Sequence, residues 1–213
     1  MIFSASRLLS LWLVSYFLKI VSVNAFECQN SDEIAMQNNK RMESNGCTKS
    51  PKLQFGNEPG LMVCCDLKDV CYGMCGYSKE NCDIEFDKCQ KRVCESEEHK
   101  HSKECERAAH MHNLSSKFFD KEEYNAKQNA YCQCVKKTEV TDKWFVILKD
   151  FYKTYAPKKF FKIQEDWDDY CYNLGTEDAP YYPKIMTLYY KVHINYPEAI
   201  LQLREGSRAN DDL

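Results

Sequence analysis

The chain has 213 residues, and its 29 Lys and Arg against 32 Asp and Glu give a formal net charge of −3. This weakly acidic balance argues against a nucleic-acid partner, which would favour a basic surface. The 13 cysteines indicate an oxidising compartment, where disulfides supplement a small hydrophobic core.

The first 25 residues have the pattern of a secretory signal peptide. Arg7 precedes a mostly apolar run from Leu8 to Val23, and Ala25 closes a small-residue cleavage site. A membrane span is the alternative, but the uninterrupted apolar part, Leu8–Leu18, is too short to cross about 30 Å of hydrocarbon. We therefore expect a secreted, extracellular protein.

The remaining chain divides into three expected segments. Residues 26–46 form a polar N-terminal segment, residues 47–137 contain most of the cysteines, and residues 138–213 form an aromatic-rich extension. The middle segment begins with a predicted loop, residues 46–60, because prolines and glycines interrupt it. A helix is predicted over 61–77, where one helical face collects four side chains at i, i+3, i+4 and i+7: Lys68, Cys71, Tyr72 and Cys75.

Further helices are predicted downstream. A helical stripe continues from Cys82 to Cys89, and a second long helix is expected over 121–136, with Cys132 and Cys134 on different sides of it. In the extension, residues 144–155 have the spacing of a strongly amphipathic helix. We expect its apolar stripe to be buried in the chain's own core, and two more helices are expected over about 185–196 and 197–203. The stripe consists of Trp144, Leu148, Phe151 and Tyr155.

The run CCDLKDVCYGMCGYSKENCDIEFDKC, with NGC upstream and CQC downstream, resembles secreted phospholipase A2, and most closely the group XII branch. The family signature is Cys-Cys-x-x-His-Asp-x-Cys, and the resemblance extends over residues 45–135. It implies an all-α, disulfide-rich fold with a phospholipase A2-like core of two antiparallel long helices joined by disulfides, followed by a helical C-terminal extension. It also implies two cysteine pairs, Cys71–Cys134 and Cys47–Cys65.

The catalytic position of the family signature holds Lys68 in this chain. The family's histidine accepts a proton from the attacking water, whereas a lysine of ordinary pKa, about 10.4, is an ammonium without a lone pair. Asp69 is adjacent in sequence, and we expect its carboxylate to pair with Lys68 and keep it charged. Tyr72 matches a supporting tyrosine of the family, with a hydrogen-bonded core tyrosine as the alternative. The orienting aspartate, expected directly after the Cys-x-Cys pair, corresponds to Val135.

The resemblance also implies a calcium ion, which polarises the ester carbonyl in this family. Asp69 matches the carboxylate ligand, and backbone carbonyls of the loop at Gly46 and Thr48 are the further candidates. The loop contains few glycines, and the Lys68 ammonium opposes a divalent cation. A solvated helix carboxylate is therefore the alternative for Asp69.

Three smaller features complete the site candidates. Asn113 begins an Asn-x-Ser glycosylation sequon. The His-x-His pairs at 99–101 and 110–112 could bind metal, but we expect solvated surface histidines. The odd cysteine number leaves a free thiol or an intermolecular disulfide open. A run of lysines with Phe160 and Phe161 allows either membrane contact or an ordinary amphipathic surface.

The sequence thus supports three functions. The first is a secreted, catalytically silent phospholipase A2-like protein that binds phospholipid, a membrane interface or a protein partner such as a receptor. The second is an active calcium-dependent phospholipase A2, hydrolysing the sn-2 ester and releasing fatty acid in lipid catabolism. The third is a cysteine-stapled interaction module whose functional part is the extension.

Overall fold

The structure is a computed structural model that describes residues 25–47, 59–96, 98–99, 102–165 and 182–203, with the backbone alone for residues 59 and 182–186. Residues 1–24 of the expected signal peptide, most of the loop at 46–60, and Cys171 lie outside this description. Within it the chain is mostly helical, as the sequence predicts for an all-α, disulfide-rich protein. No helix among the described residues is long and apolar enough to cross a membrane.

Two antiparallel helices form the centre of the cysteine-rich segment. Helix α1 covers Pro59–Tyr72, and helix α2 covers Lys79–Cys94. Gly76 has a φ of 76°, which is in the left-handed region that favours glycine, and it lets the chain reverse between the two helices. Ser78 then begins α2, because its side chain accepts a hydrogen bond from the backbone N–H of Asn81.

Disulfides link α1 to α2 along their length. Cys64 pairs with Cys89 and Cys71 pairs with Cys82, so an early residue of one helix meets a late residue of the other. The expected Cys71–Cys134 disulfide is therefore wrong. The antiparallel partner of α1 is α2, the next helix in sequence. The short connection between them places Cys82 beside Cys71, so residues 121–136 do not supply the partner.

The remaining cysteine pairs attach the surrounding segments to this helix pair. Cys47 pairs with Cys65, which confirms the pair that the family resemblance implies. Two further bridges, Cys28–Cys134 and Cys75–Cys132, attach residues 132–136 to the N-terminal segment and to the turn after Tyr72. The last, Cys94–Cys105, joins the end of α2 to the next helix. These six disulfides use every cysteine of the chain except Cys171.

Helix α3 covers Lys103–Phe119, and helix α4 covers Lys121–Tyr131. The helix predicted over 121–136 ends early, because residues 132–136 form strand β3, Cys132–Lys136. This strand pairs antiparallel with β1, Glu33–Gln37. In a strand, residues two apart point to the same side, so Cys132 and Cys134 reach their separate partners from one face.

The extension packs against the cysteine-rich helices. Helix α5 covers Val140–Tyr155 and buries Trp144, Leu148 and Phe151, while Tyr155 is half-buried, which confirms the predicted stripe. Helix α6 covers Tyr182–Asn195. Short 3-10 helices cover Lys137–Glu139, Pro157–Lys162 and Pro197–Ala199.

The last described segment differs from the predicted helix over 197–203. After Pro197–Ala199 the chain forms strand β4, Leu201–Gln202, which pairs in parallel with β2, Glu43–Ser44. Backbone N–H groups of Leu201 and Leu203 donate to the carbonyl oxygens of Met42 and Ser44. The extension therefore returns to the segment that precedes α1, and both share one hydrophobic core.

Candidate functional site

Lys68 lies on α1, on the side that faces the junction between α3 and α4. Its Nζ atom is 2.5 Å from Oδ2 of Asp120, the residue between those two helices, and both side chains are about nine-tenths buried. The ammonium also lies 5.3 Å from the ring centre of Tyr72 and 5.1 Å from that of Phe86. A carboxylate and the faces of two aromatic rings are all favourable contacts for a cation.

The expected pairing of Lys68 with Asp69 needs correction. Consecutive residues of a helix project about 100° apart, so their side chains face different neighbours. Asp69 points to the segment before α1, where its Oδ2 accepts hydrogen bonds from Ser44 Oγ at 2.8 Å and the Asn45 N–H at 3.1 Å. Asp120, and not Asp69, is therefore the carboxylate that pairs with Lys68.

Asp69 is a buried carboxyl group rather than a solvated one, with 1% of its surface exposed. Burial raises its pKa to about 6, although the Lys127 ammonium, 4.0 Å away, favours the charged form and opposes this shift. Ser44 Oγ additionally lies 2.7 Å from Asp66 Oδ1, and it accepts the Gly46 N–H. The carboxylate is thus enclosed by hydrogen-bond donors and a cation.

This arrangement tests the calcium expectation at Asp69 and Gly46. A calcium ion requires several oxygen ligands that point inwards at about 2.3–2.6 Å. Around Asp69 the described neighbours are instead the Asn45 N–H, the Ser44 hydroxyl, whose one proton Asp69 shares with Asp66, and the Lys127 ammonium at 4.0 Å. Gly46 contributes an N–H donor to Ser44, and Thr48 lies outside the described residues. The described part of the site does not fit calcium.

Tyr72 belongs to a second polar cluster, which adjoins Lys68 and is formed with side chains of α2 and α3. Its hydroxyl donates to Asp83 Oδ1 at 2.7 Å and lies 3.0 Å from Ser116 Oγ. Lys79 Nζ bonds Asp83 Oδ2 at 2.7 Å and the Ser116 carbonyl oxygen at 2.8 Å. Burial, and then the charge of Asp83, raise the pKa of Tyr72 well above its usual range. Tyr72 is therefore a neutral, hydrogen-bonded core tyrosine.

The family resemblance expects the orienting aspartate directly after the Cys-x-Cys pair, where this chain has Val135. The carboxylate that the structure brings to Tyr72 is instead Asp83, which follows Cys82, the observed partner of Cys71, and pairs with Lys79. Val135 is a buried residue of β3.

All four histidines of the His-x-His pairs were expected to be solvated. His101 lies outside the described residues, His99 is half-buried, and His112 is buried. His112 on α3 is 6% exposed, with Nδ1 3.2 Å from Gln90 Nε2, whereas His110 is exposed. Burial, and then the charge of Lys68, lower the pKa of His112. Its ring nitrogen lies near the sulfurs of Cys47 and Cys65, but these sulfurs are joined to each other and offer no thiolate to a metal.

Asn113, the predicted glycosylation residue, lies within α3 and is half-buried. Its Nδ2 atom donates to Asp87 Oδ1 at 2.7 Å. A glycan on this nitrogen would replace one of its two hydrogens and leave one N–H to donate. Glycosylation of Asn113 stays a prediction.

Sequence reasoning missed the residues that hold the site together, namely Asp83, Asp120, Ser44, Ser116, Lys79 and Lys127. For Asp83 a signal was present, because it follows a cysteine directly. Asp120 carries no motif, and only the folded arrangement of α1 against the α3–α4 junction brings it to Lys68.

The disulfide-linked antiparallel helices, with Lys68 and Tyr72 on α1 and Asp83 on α2, define a phospholipase A2-like chain. A family model described as Group XII secretory phospholipase A2 precursor matches residues 17–142, more than half of the chain. The chain therefore belongs to the group XII secretory phospholipase A2 family.

Individual relatives match shorter regions. Human group XIIA secretory phospholipase A2 is 32% identical over 36% of this chain and 43% of its own length. Its mouse counterpart is 47% identical over 17% of this chain and 19% of its own length. Mouse group XIIB secretory phospholipase A2-like protein is 36% identical over 26% of this chain and 31% of its own length. The matches thus cover less than half of each relative, and no solved structure matches the chain.

Proposed function

We propose that this chain is a secreted, phospholipase A2-like protein that is catalytically silent or very weak and that binds phospholipid surfaces. The observation that carries the proposal is the Lys68–Asp120 ion pair at the histidine position of the family signature. General base catalysis is typically worth 10²–10⁴-fold in rate, and an ammonium held by a carboxylate has no lone pair to offer.

Two further observations support catalytic silence. The donors around Asp69 leave the described part of the calcium site unsuited to the ion, so carbonyl polarisation by a metal has no support. Asp83, which could orient a histidine, is engaged by Lys79 and Tyr72 instead. One relative also carries the name phospholipase A2-like protein.

Secretion is supported by the chemistry of the cysteines. Six disulfides within one small chain require an oxidising compartment to form and persist. The family is named secretory, and the N-terminal 25 residues have a signal-peptide pattern.

The α3–α4 corner is our candidate for lipid contact. Phe118 and Phe119 are 73% and 78% exposed, and exposed lysines stand on either side at Lys117 and Lys121. Aromatic rings next to lysines suit the boundary between acyl chains and anionic headgroups. Asp120 follows these rings directly, so its ion pair with Lys68 fixes the corner to α1. In this proposal Lys68 anchors a lipid-contacting corner instead of activating water.

Flotation with vesicles of phosphatidylcholine and phosphatidylserine tests lipid contact. Wild-type protein should float with the vesicles, and the double variant Phe118→Ala/Phe119→Ala should bind at least tenfold more weakly. Phe161→Ala is the matched control, since Phe161 is 75% exposed and lies beside Lys162 in another segment. Loss of binding in Phe161→Ala alone would mean that the segment of Phe161, and not the α3–α4 corner, contacts lipid. Absence of binding by the wild-type protein would contradict the proposal of lipid binding.

A further inference from the structure

A cavity of about 180 Å³ lies between α5, α6 and the segment before β2, away from the Lys68 site. Its interior is formed by aromatic and aliphatic side chains, including Phe151, Tyr189 and His193. Exposed polar residues, among them Arg41 and Thr154, stand at its mouth. An apolar protein cavity of about 150 Å³ takes up benzene, so this volume suits a single six-membered ring.

His193 provides the one chemically distinctive group inside. It is 2% exposed, and its ring lies between those of Phe151, at 5.0 Å, and Tyr189, at 4.6 Å. Nδ1 lies 2.8 Å from the Tyr189 carbonyl oxygen, which can only accept, so Nδ1 carries the proton and donates. Nε2 is then an acceptor, and it has no hydrogen-bond partner among the described residues.

Burial lowers the pKa of His193 to about 4, so the imidazole is neutral at pH 7 and Nε2 keeps its lone pair. Because His193 lines the cavity and Nε2 has no partner within the described protein, a ligand with one hydroxyl donor can supply the hydrogen bond that water otherwise makes there. At the mouth, Arg41 already donates to the carbonyl oxygens of Glu198 and Ala199. Lys40 and Asp150 also line the rim. The interior of the cavity, where aromatic rings and the neutral imidazole lie, therefore determines the choice of ligand.

We propose that this cavity is a binding site for a small neutral alcohol of phenol size, whose hydroxyl donates to His193 Nε2 while its ring packs against Phe151 and Tyr189. The site lies between the extension and the segment before β2, and it is independent of the proposed function of Lys68. Its place between α5 and α6 gives the extension a ligand-binding role of its own.

Titration of the full chain with 4-fluorophenol and with fluorobenzene, followed by ¹⁹F NMR at pH 7, tests the proposal. The two probes share the ring and differ in the hydroxyl group. One hydrogen bond contributes about 0.5–1.5 kcal/mol, so wild-type protein should bind the phenol roughly 3- to 10-fold more tightly. His193→Phe should abolish this preference. Equal affinity for both probes, or no saturable binding of the phenol, would overturn the proposal.

A variant at the mouth keeps the test decisive if His193→Phe does not fold. Thr154→Trp places a large ring at an exposed position on the cavity rim and should weaken binding of both probes at least fivefold. Lys153→Trp is the matched control, because Lys153 is exposed on the same helix and does not line the cavity. Equal binding by the two tryptophan variants would place the probes elsewhere and contradict the assignment.

Discussion

Helices α1 and α2 are joined by two disulfides and enclose charged groups, whereas α5 and α6 contain no cysteine and pack through aromatic rings. Around α1, each buried charge described above has a partner, as in Lys68–Asp120 and Lys79–Asp83. Around α5, Trp144 packs edge to face on Tyr189. The comparison teaches that crosslinks let the first region retain buried ions, while the second depends on shape and apolar area.

The largest expected effect on the free energy of unfolding comes from a substitution in the aromatic region. Trp144→Ala removes a side chain that is 1% exposed and should lower the free energy of unfolding by about 4 kcal/mol. Val146→Ala, at a position of the same helix that is 48% exposed, should change it by less than about 0.5 kcal/mol. Denaturant unfolding under non-reducing conditions measures both. Similar effects for the two variants would mean that α5 does not pack as described.

Breaking the charged region should have a slightly smaller effect. Asp120→Ala leaves the Lys68 ammonium largely buried without its carboxylate and should cost about 3 kcal/mol. Adding Lys68→Met removes the uncompensated charge and should restore about 2 kcal/mol of that loss. The same unfolding experiment, arranged as a double-mutant cycle, gives the coupling directly. Additive costs would show that the two side chains do not interact.

Lowering the pH should destabilise the aromatic region through His193. Its pKa is about 4 in the folded protein and about 6.5 unfolded, so the unfolded state binds more protons between these values. Stability contributed by the neutral imidazole is present above pH 6.5 and falls as the pH falls. From pH 7 to pH 5 the wild-type protein should lose about 2 kcal/mol more than His193→Phe. Parallel pH profiles of the two proteins would contradict the buried neutral histidine.

The smallest effect sharpens the contrast between buried and exposed ion pairs. Lys143 and Glu139 form a pair at 3.1 Å on the surface, with both side chains about half exposed. Lys143→Ala should change the free energy of unfolding by less than about 0.5 kcal/mol, because solvent screens such pairs. A cost comparable to that of Asp120→Ala would remove the distinction.

Local pattern was enough to predict much of the fold. The four-residue stripe that includes Lys68 and Cys71 predicted α1, and the apolar spacing from Trp144 predicted α5, because helical periodicity is a short-range signal. Strand β3 was missed, since Cys132–Lys136 is held by Glu33–Gln37, a distant segment. Long-range pairing can override the helical preference of a short stretch.

The sequence predicted which residues form the candidate site, but not which groups these residues bond. Lys68, Asp69 and Tyr72 were identified by their spacing to the cysteines. Lys68 and Asp69 each bond a different group from the one expected, whereas Tyr72 is the hydrogen-bonded core tyrosine that was its alternative. The pairing of Cys71 was also wrong. The sequence alone does not distinguish Cys134 from Cys82 as its partner, and the antiparallel packing of α1 on α2 brings Cys82 to it.

The most direct test of the central claim is a fatty-acid release assay with purified full-length protein on phospholipid vesicles, with calcium and with chelator. The account predicts release at background level in both conditions, and no further loss in Lys68→Ala. Calcium-dependent release by the wild-type protein that disappears in Lys68→Ala would contradict it, since Lys68 would then take part in hydrolysis.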